Sequence, residues 1–166
     1  MSTASLETAG PDWVSLTAAD LLVSMRVPRG WEATAPDRTT IAAAGPDGVS
    51  LSVQRGVPEE PGHDWFVEFA RAVPAQLQDD VPGFELIETE RFRLSSAYAD
   101  VLLVAARRDD GLTGAVGPTA QVQAYVWAGD RRMYVVAGST PAVHEARDLP
   151  VLRAVVHSLR LLPPRG

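Results

Sequence analysis

Cysteine and lysine are both missing from this chain. Without cysteine there is no disulfide, no thiolate nucleophile, no thiolate-ligated zinc and no lipid-modified cysteine. Without lysine, Schiff-base chemistry, a lysine general base and a P-loop lysine are excluded. All fixed positive charge sits on arginine, which does not deprotonate near neutral pH. Long apolar runs are absent too: none approaches the ~20 residues of a membrane-spanning helix. The opening stretch MSTASLETAGPDWVSL has neither the basic nor the apolar region of a secretory signal, so a cytoplasmic protein is expected. Histidine is scarce. His63, His144 and His157 form no His-x-x-x-His pair, and no Gly-x-Ser-x-Gly elbow occurs. Each histidine reads as a surface side chain. No catalytic residue, no metal ligand and no cofactor-binding residue is expected.

What is there describes an ordinary globular chain. Its 166 residues suffice for one domain with a real core. Hydrophobic residues make up 46% and charged residues 22%, the proportions of a water-soluble domain. The formal net charge of -6 repels phosphate backbones, so nucleic acid is not an expected partner.

Along the chain, Met1 to about Ala19 reads as a loose Ser/Thr/Ala-rich tail, in which Trp13, Val14 and Leu16 could dock as a short edge strand. A single domain is expected over residues 20 to 162. Asp20–Val27 reads as a strand ended by Pro28-Arg29-Gly30, with Trp31 folding back as a plug over the core. Thr39–Ala44 and Val49–Arg55 flank Gly45-Pro46-Asp47-Gly48, a hairpin signature. Val57–Gly62 is a connector, and Glu59 and Glu60 within it point apart as adjacent residues do, so a solvated loop is expected there.

Asp64–Leu77 reads as a helix with Asp64 as N-cap and an apolar stripe of Phe66, Phe69, Val73 and Leu77. Pro74 should kink or shorten it. Val81-Pro82-Gly83-Phe84 is a turn. Phe84–Leu94 and Ala97–Arg107 follow as strands joined at Ser95-Ser96. The unbroken apolar run Val101–Ala106 points to a central strand covered on both faces. Asp109–Pro118 is a long Gly-rich loop, and it lacks the Gly-Lys-Ser/Thr of a phosphate cradle.

Thr119–Thr140 reads as a hairpin about a Gly129-Asp130 type II′ turn. A two-residue loop sets Val126 against Met133 and Ala124 against Val135 on a wholly apolar face. It gathers Tyr125, Trp127, Arg132 and Tyr134 on the other. A three-residue loop would flip one strand relative to its partner. Thr140-Pro141 then reads as a helix start, with Asp148-Leu149-Pro150 interrupting or restarting the helix. Leu149, Leu152, Val156 and Leu159 form its apolar stripe, with Arg153 and His157 off it. Arg91, Arg93, Arg107, Arg108, Arg131 and Arg132 lie on strands or strand ends. They could make an anion patch, although salt bridges to the acidic excess are the simpler expectation.

Strands, helix, strands, helix, with hairpins and no regular βαβ alternation, give an α+β domain: an antiparallel sheet of about seven strands with helices packed on it. Val27-Pro28-Arg29-Gly30-Trp31 and Val81-Pro82-Gly83-Phe84, together with the final hairpin and His157-Ser158-Leu159, resemble the marks of the actinobacterial LpqN-like lipoproteins over about residues 20 to 162. That family is similar to the Mog/PsbP fold, an αβα sandwich, and to DcrB-like proteins. The resemblance implies a non-enzymatic domain that binds another protein as an accessory subunit, adaptor or secretion chaperone, as a monomer or weak dimer. Unlike the lipoproteins, the sequence has no lipobox cysteine, and its opening stretch is not expected to be a signal. The alternative is a carrier of a small apolar ligand between sheet and helix; an enzyme comes third. The expected partner-binding residues are Tyr125, Trp127, Arg132 and Tyr134, because Tyr, Trp and Arg are enriched at interface hot spots. The competing reading places Trp127 and Tyr134 in the core beneath a helix.

Overall fold

A computed structural model of the chain describes residues 12–37, 40–56, 63–94, 99–109, 117–128 and 132–163. In chain order the strands are β1 (Val14–Ala18), β2 (Val23–Val27), β3 (Glu32–Asp37), β4 (Thr40–Ala44) and β5 (Ser50–Gly56). Helix α1 (His63–Asp80) follows, then β6 (Phe84–Leu94), β7 (Ala99–Arg108), β8 (Thr119–Trp127) and β9 (Met133–Pro141). Helix α2 (Glu145–His157) and β10 (Arg160–Leu161) complete the order. A seven-stranded antiparallel sheet runs β3-β4-β5-β9-β8-β7-β6, and a three-stranded sheet runs β1-β2-β10.

The fold is built around the two-sided burial of β7. Val101, Leu103 and Ala105 point into the larger core, with α2 and the small sheet above them. Leu102 and Val104 point the other way, under α1. The small sheet contributes Val23, Met25, Val27 and Leu161 to the larger core, and α2 contributes Leu149, Leu152, Val155 and Val156. The layers are therefore α1, the seven-stranded sheet, and a third layer shared by α2 and the small sheet.

The short edge strand that Trp13, Val14 and Leu16 could make forms, while residues 1–11 lie outside the described residues. Val14–Ala18 pairs along its whole length with β2, from Val14 opposite Val27 to Ala18 opposite Val23. Trp13, Val14 and Leu16 pack against the core, which is what holds this edge strand. Between β1 and β2 the chain turns through Leu22 at φ 61.

The hairpin between β4 and β5 forms as expected, closed by the Gly45 amide donating to the Val49 carbonyl at 2.9 Å. Asp47 (φ 62) and Gly48 (φ 90) make the turn. Trp31 lies directly on Gly45, so any side chain there would strike the indole. This explains both the plug and the glycine beneath it. Glu59, Glu60 and their connector, the Ser95-Ser96 turn and most of the Gly-rich loop lie outside the described residues.

Local expectations are corrected in three elements: α1, α2 and the β8–β9 hairpin. Helix α1 begins at His63, with Asp64 inside its first turn, and it continues past Pro74 to Asp80. Its apolar stripe lies on the sheet, and that burial outweighs one missing hydrogen bond. Thr140-Pro141 does not start a helix. Both residues pair with β8, Thr140 opposite Ala120 and Pro141 opposite Thr119, and α2 starts at Glu145 after a single tight turn. Nor does Asp148-Leu149-Pro150 interrupt α2. Asp148 is buried and accepts from the Thr140 hydroxyl at 2.6 Å. Third, the β8–β9 register is offset by one: Trp127 faces Met133, Val126 faces Tyr134 and Tyr125 faces Val135. The Ala128 amide donates to the Arg132 carbonyl at 2.8 Å, enclosing three residues, so the flip that a three-residue loop imposes is the observed arrangement. The Gly129-Asp130 turn itself lies outside the described residues.

Candidate functional site

The one-residue offset divides the expected aromatic–arginine face. Tyr125 and Trp127 point to the α1 side of the sheet, and Arg132 and Tyr134 point to the other. Trp127, Arg132 and Tyr134 are 3%, 5% and 0% exposed, so the reading with Trp127 and Tyr134 in the core is the observed one. Tyr134 donates its hydroxyl to the Leu21 carbonyl at 2.7 Å, and Arg132 donates to the Leu162 carbonyl at 2.8 Å. These two side chains tie the end of the large hairpin to the small sheet.

On the α1 side, a cluster of rings fills the space between helix and sheet. Trp65 and Phe69 stack at 5.1 Å, Phe66 lies 6.0 Å from Trp127, and Phe69 meets Tyr125 edge-on at 5.1 Å. Arg91 reaches over Phe66, with its guanidinium carbon 5.9 Å from the ring centre. The spacing that makes this possible is helical: Phe66, Phe69, Val73 and Leu77 recur on one face of α1.

Past Phe69 the filling stops short of the surface. A groove of about 250 Å³ opens there, lined by Phe69, Val73, Gln76, Leu77, Asp80 and Tyr125. Phe69, Val73, Gln76 and Asp80 stand at i, i+4, i+7 and i+11, so they form one wall along the helix. Tyr125 on β8 makes the opposite wall. Its hydroxyl donates to the Gln123 Oε1 at 2.9 Å, and burial pushes the phenol above its ordinary pKa, keeping it neutral. Beyond Tyr125 the sheet face continues with no helix over it among the described residues. Val135 is half-buried, while Ala137, Gln54, Ser50 and Ala44 are exposed. Sequence reasoning missed the groove. Its signal was the run past Leu77, where the helix continues into Gln78-Asp79-Asp80 instead of stopping.

Most of the charged side chains on the opposite side of the sheet are tied up in ion pairs. Arg107 holds Glu145 at 2.6 Å and Glu85 at 3.3 Å, and its hydrogen bond keeps the Glu145 carboxyl below the usual range. Burial pushes Asp148 up, but hydrogen bonds from Arg147 and Thr140 outweigh it and hold the carboxyl low. Arg147 also reaches Asp47 at 3.0 Å, bracing the β4–β5 turn on α2. Arg153 binds Glu88 and Glu90. His157 contacts Glu90 at 2.6 Å and stacks on Phe92 at 4.0 Å, so this histidine is packed against β6 instead of standing free. Arg93 pairs with Asp100 at 3.2 Å, so Arg93 and Arg107 make salt bridges, as the simpler expectation had it. Arg131 and the His63 side chain lie outside the described residues. Among the described residues, no three His, Asp or Glu side chains converge as a metal site requires, and no helix is long and apolar enough to cross a membrane.

No family model matches the chain, and no curated protein matches its sequence. Solved structures match it over most of its length. CyanoP, the PsbP of Synechocystis sp. PCC 6803, is 11% identical, with 92% of this chain and 94% of that chain covered at a TM-score of 0.61. The Saccharomyces cerevisiae Ran-binding protein Mog1p is 9% identical, with 90% and 95% covered at a TM-score of 0.57. PA94 of Pseudomonas aeruginosa, a protein of unknown function, is 13% identical, with 93% and 98% covered at a TM-score of 0.58. At such identities the likeness is one of fold. The chain has the α+β architecture shared by Mog1p and PsbP, the fold that its short motifs implied.

Proposed function

We propose that this chain is a non-enzymatic protein-binding module of accessory, adaptor or secretion-chaperone type, of the LpqN-like kind, and that it binds through the groove on the C-terminal half of α1. The observation that carries the reading is the shape of the α1 side. Its interior is filled by stacked rings, while its surface keeps an apolar groove beside an uncovered stretch of sheet. Among the described residues the rings beneath α1 pack against one another, whereas an open apolar groove beside them suits a side chain brought by a partner. That a solved structure with this fold is a Ran-binding protein agrees with the reading. Of the four residues expected at the contact, Tyr125 reaches the groove. Trp127 supports it from beneath α1, and Arg132 and Tyr134 act by holding the hairpin in place.

The test is affinity capture from the cells that make the protein, with the unaltered chain beside Leu77→Arg. Leu77 is half-buried at the groove wall, so the longer side chain fills the groove while its charged head stays in water. Proteins retained by the unaltered chain should be lost from Leu77→Arg, with the circular dichroism spectrum unchanged. Equal retention by both proteins would remove the groove from consideration.

A further inference from the structure

We infer that the α1 groove takes a polypeptide segment presenting a large apolar side chain with an arginine or lysine beside it. The inference rests on the protein-binding reading above and adds the chemistry of the partner.

The shape of the groove suits a side chain carried by a polypeptide. About 250 Å³, open along one side, lies below the ~300–1,000 Å³ of sites that enclose a ligand, and it matches one or two side chains. Charge decides what stands next to the anchor. Asp80 lines the end of the groove and Asp79 precedes it, both exposed. They occupy the last turn of α1, where unpaired carbonyls already form the negative end of the helix dipole, and no basic residue stands in that turn. Acid in this position works against the helix. Glu85, Glu88 and Glu90 on β6, and Glu145 and Asp148 on α2, are each held by an arginine, whereas, among the described residues, exposed carboxylates such as Asp20, Glu32 and Asp64 are not. Asp79 and Asp80 have no ion pair among the described residues. A local rule broken without a folding gain marks a functional position. Two carboxylates, the helix carbonyls and a net charge of -6 together favour an incoming cation and disfavour an acidic segment. The apolar anchor fits between Phe69, Val73, Leu77 and Tyr125, and its basic neighbour meets Asp79 and Asp80.

The experiment is selection of a random dodecapeptide library, displayed on phage, against the immobilised full chain. Affinities of the resulting consensus peptide are then measured for three proteins: unaltered, Leu77→Arg, and the double variant Asp79→Asn/Asp80→Asn, each first shown to melt cooperatively. The expected consensus has Leu, Met, Phe or Trp within two residues of Arg or Lys. Its affinity should fall about tenfold or more in Leu77→Arg. In the double variant it should fall about three- to tenfold, and the remaining binding should lose most of its salt dependence. A consensus without basic residues, or affinity unchanged in the double variant, overturns the basic-segment inference. The groove reading survives that result if Leu77→Arg still abolishes binding. No enrichment, or peptides that bind Leu77→Arg equally well, overturns both.

Discussion

The two faces of the seven-stranded sheet are finished differently. One is covered by α2 and the small sheet over its central strands, and it holds the larger core. The other is covered by α1 alone, over β6, β7 and β8, with a second, smaller core made largely of rings. Adjacent residues of one strand show the contrast. Gly138 is buried against Leu152, where a Cβ would come within 2.9 Å of its Cδ2. Ala137, one position earlier and on the opposite face, is exposed. At Gly138 the closed face tolerates no added atom, while the other leaves room at its margin. A protein that needs a docking surface can place it where packing is least demanding, and the closed face then supplies most of the stability.

The largest effect should come from Trp127→Ala, since the indole is buried among Trp65 and Phe66. A loss of about 3–5 kcal/mol is expected in urea denaturation. A loss below about 1 kcal/mol would mean that α1 is loosely laid on the sheet and that the contrast between the faces is sharper still. Next, Gly138→Ala should cost about 1–3 kcal/mol through overpacking against Leu152, whereas Ala137→Ser should stay within about 0.5 kcal/mol. Equal effects at the two positions would break the comparison outright.

A smaller effect, about 1–2 kcal/mol, is expected for Asp148→Asn, which weakens two charge-assisted partners on the closed face. The pH dependence follows from the same group. Its folded pKa lies below the unfolded value of about 3.9, so its contribution is complete above about pH 4 and is lost as pH falls through the folded pKa. Glu145 behaves alike. Melting followed between pH 5 and pH 2.5 should therefore show a shallower acid slope in Asp148→Asn than in the unaltered protein. The smallest effect has the opposite sign. Asp79→Asn and Asp80→Asn should each raise stability, by about 0.3–1 kcal/mol, because they relieve the C-terminal end of α1. A loss of stability there would show that these carboxylates serve the fold.

Much of this architecture was legible in the residues. Val101–Ala106 announced a strand buried on both faces, the stripe of Phe66, Phe69, Val73 and Leu77 placed α1 on the sheet, and the Gly45–Gly48 turn fixed a hairpin. What escaped was set by single-residue choices with tertiary causes. One residue in the β8–β9 loop decides which side of the sheet Tyr134 occupies. Period-two alternation is apolar enough on both sides of β9 to accept either answer. Thr140-Pro141 carries a local helix signal, but the ladder to β8 claims both residues. The candidate site was half legible. Tyr125 could be named from composition, whereas the groove beside it depends on how far α1 runs past Pro74, which the burial of its stripe decides.

The small sheet has a consequence for the order of events during synthesis. Its middle strand, β2, pairs on one side with β1 and on the other with β10, so Val23 waits for Leu161. The Leu162 amide donates to the Leu22 carbonyl at 2.9 Å, and Arg132 closes on the Leu162 carbonyl from the large hairpin. Among the described residues, no strand made earlier pairs with this edge of β2. While the ribosome is still adding the last strand, Val23, Met25 and Val27 have a neighbour on one edge only. The layer that will cover them also lacks α2. Until α2 and β10 have been made, the larger apolar face is therefore uncovered, and residues 145–161 are what close it.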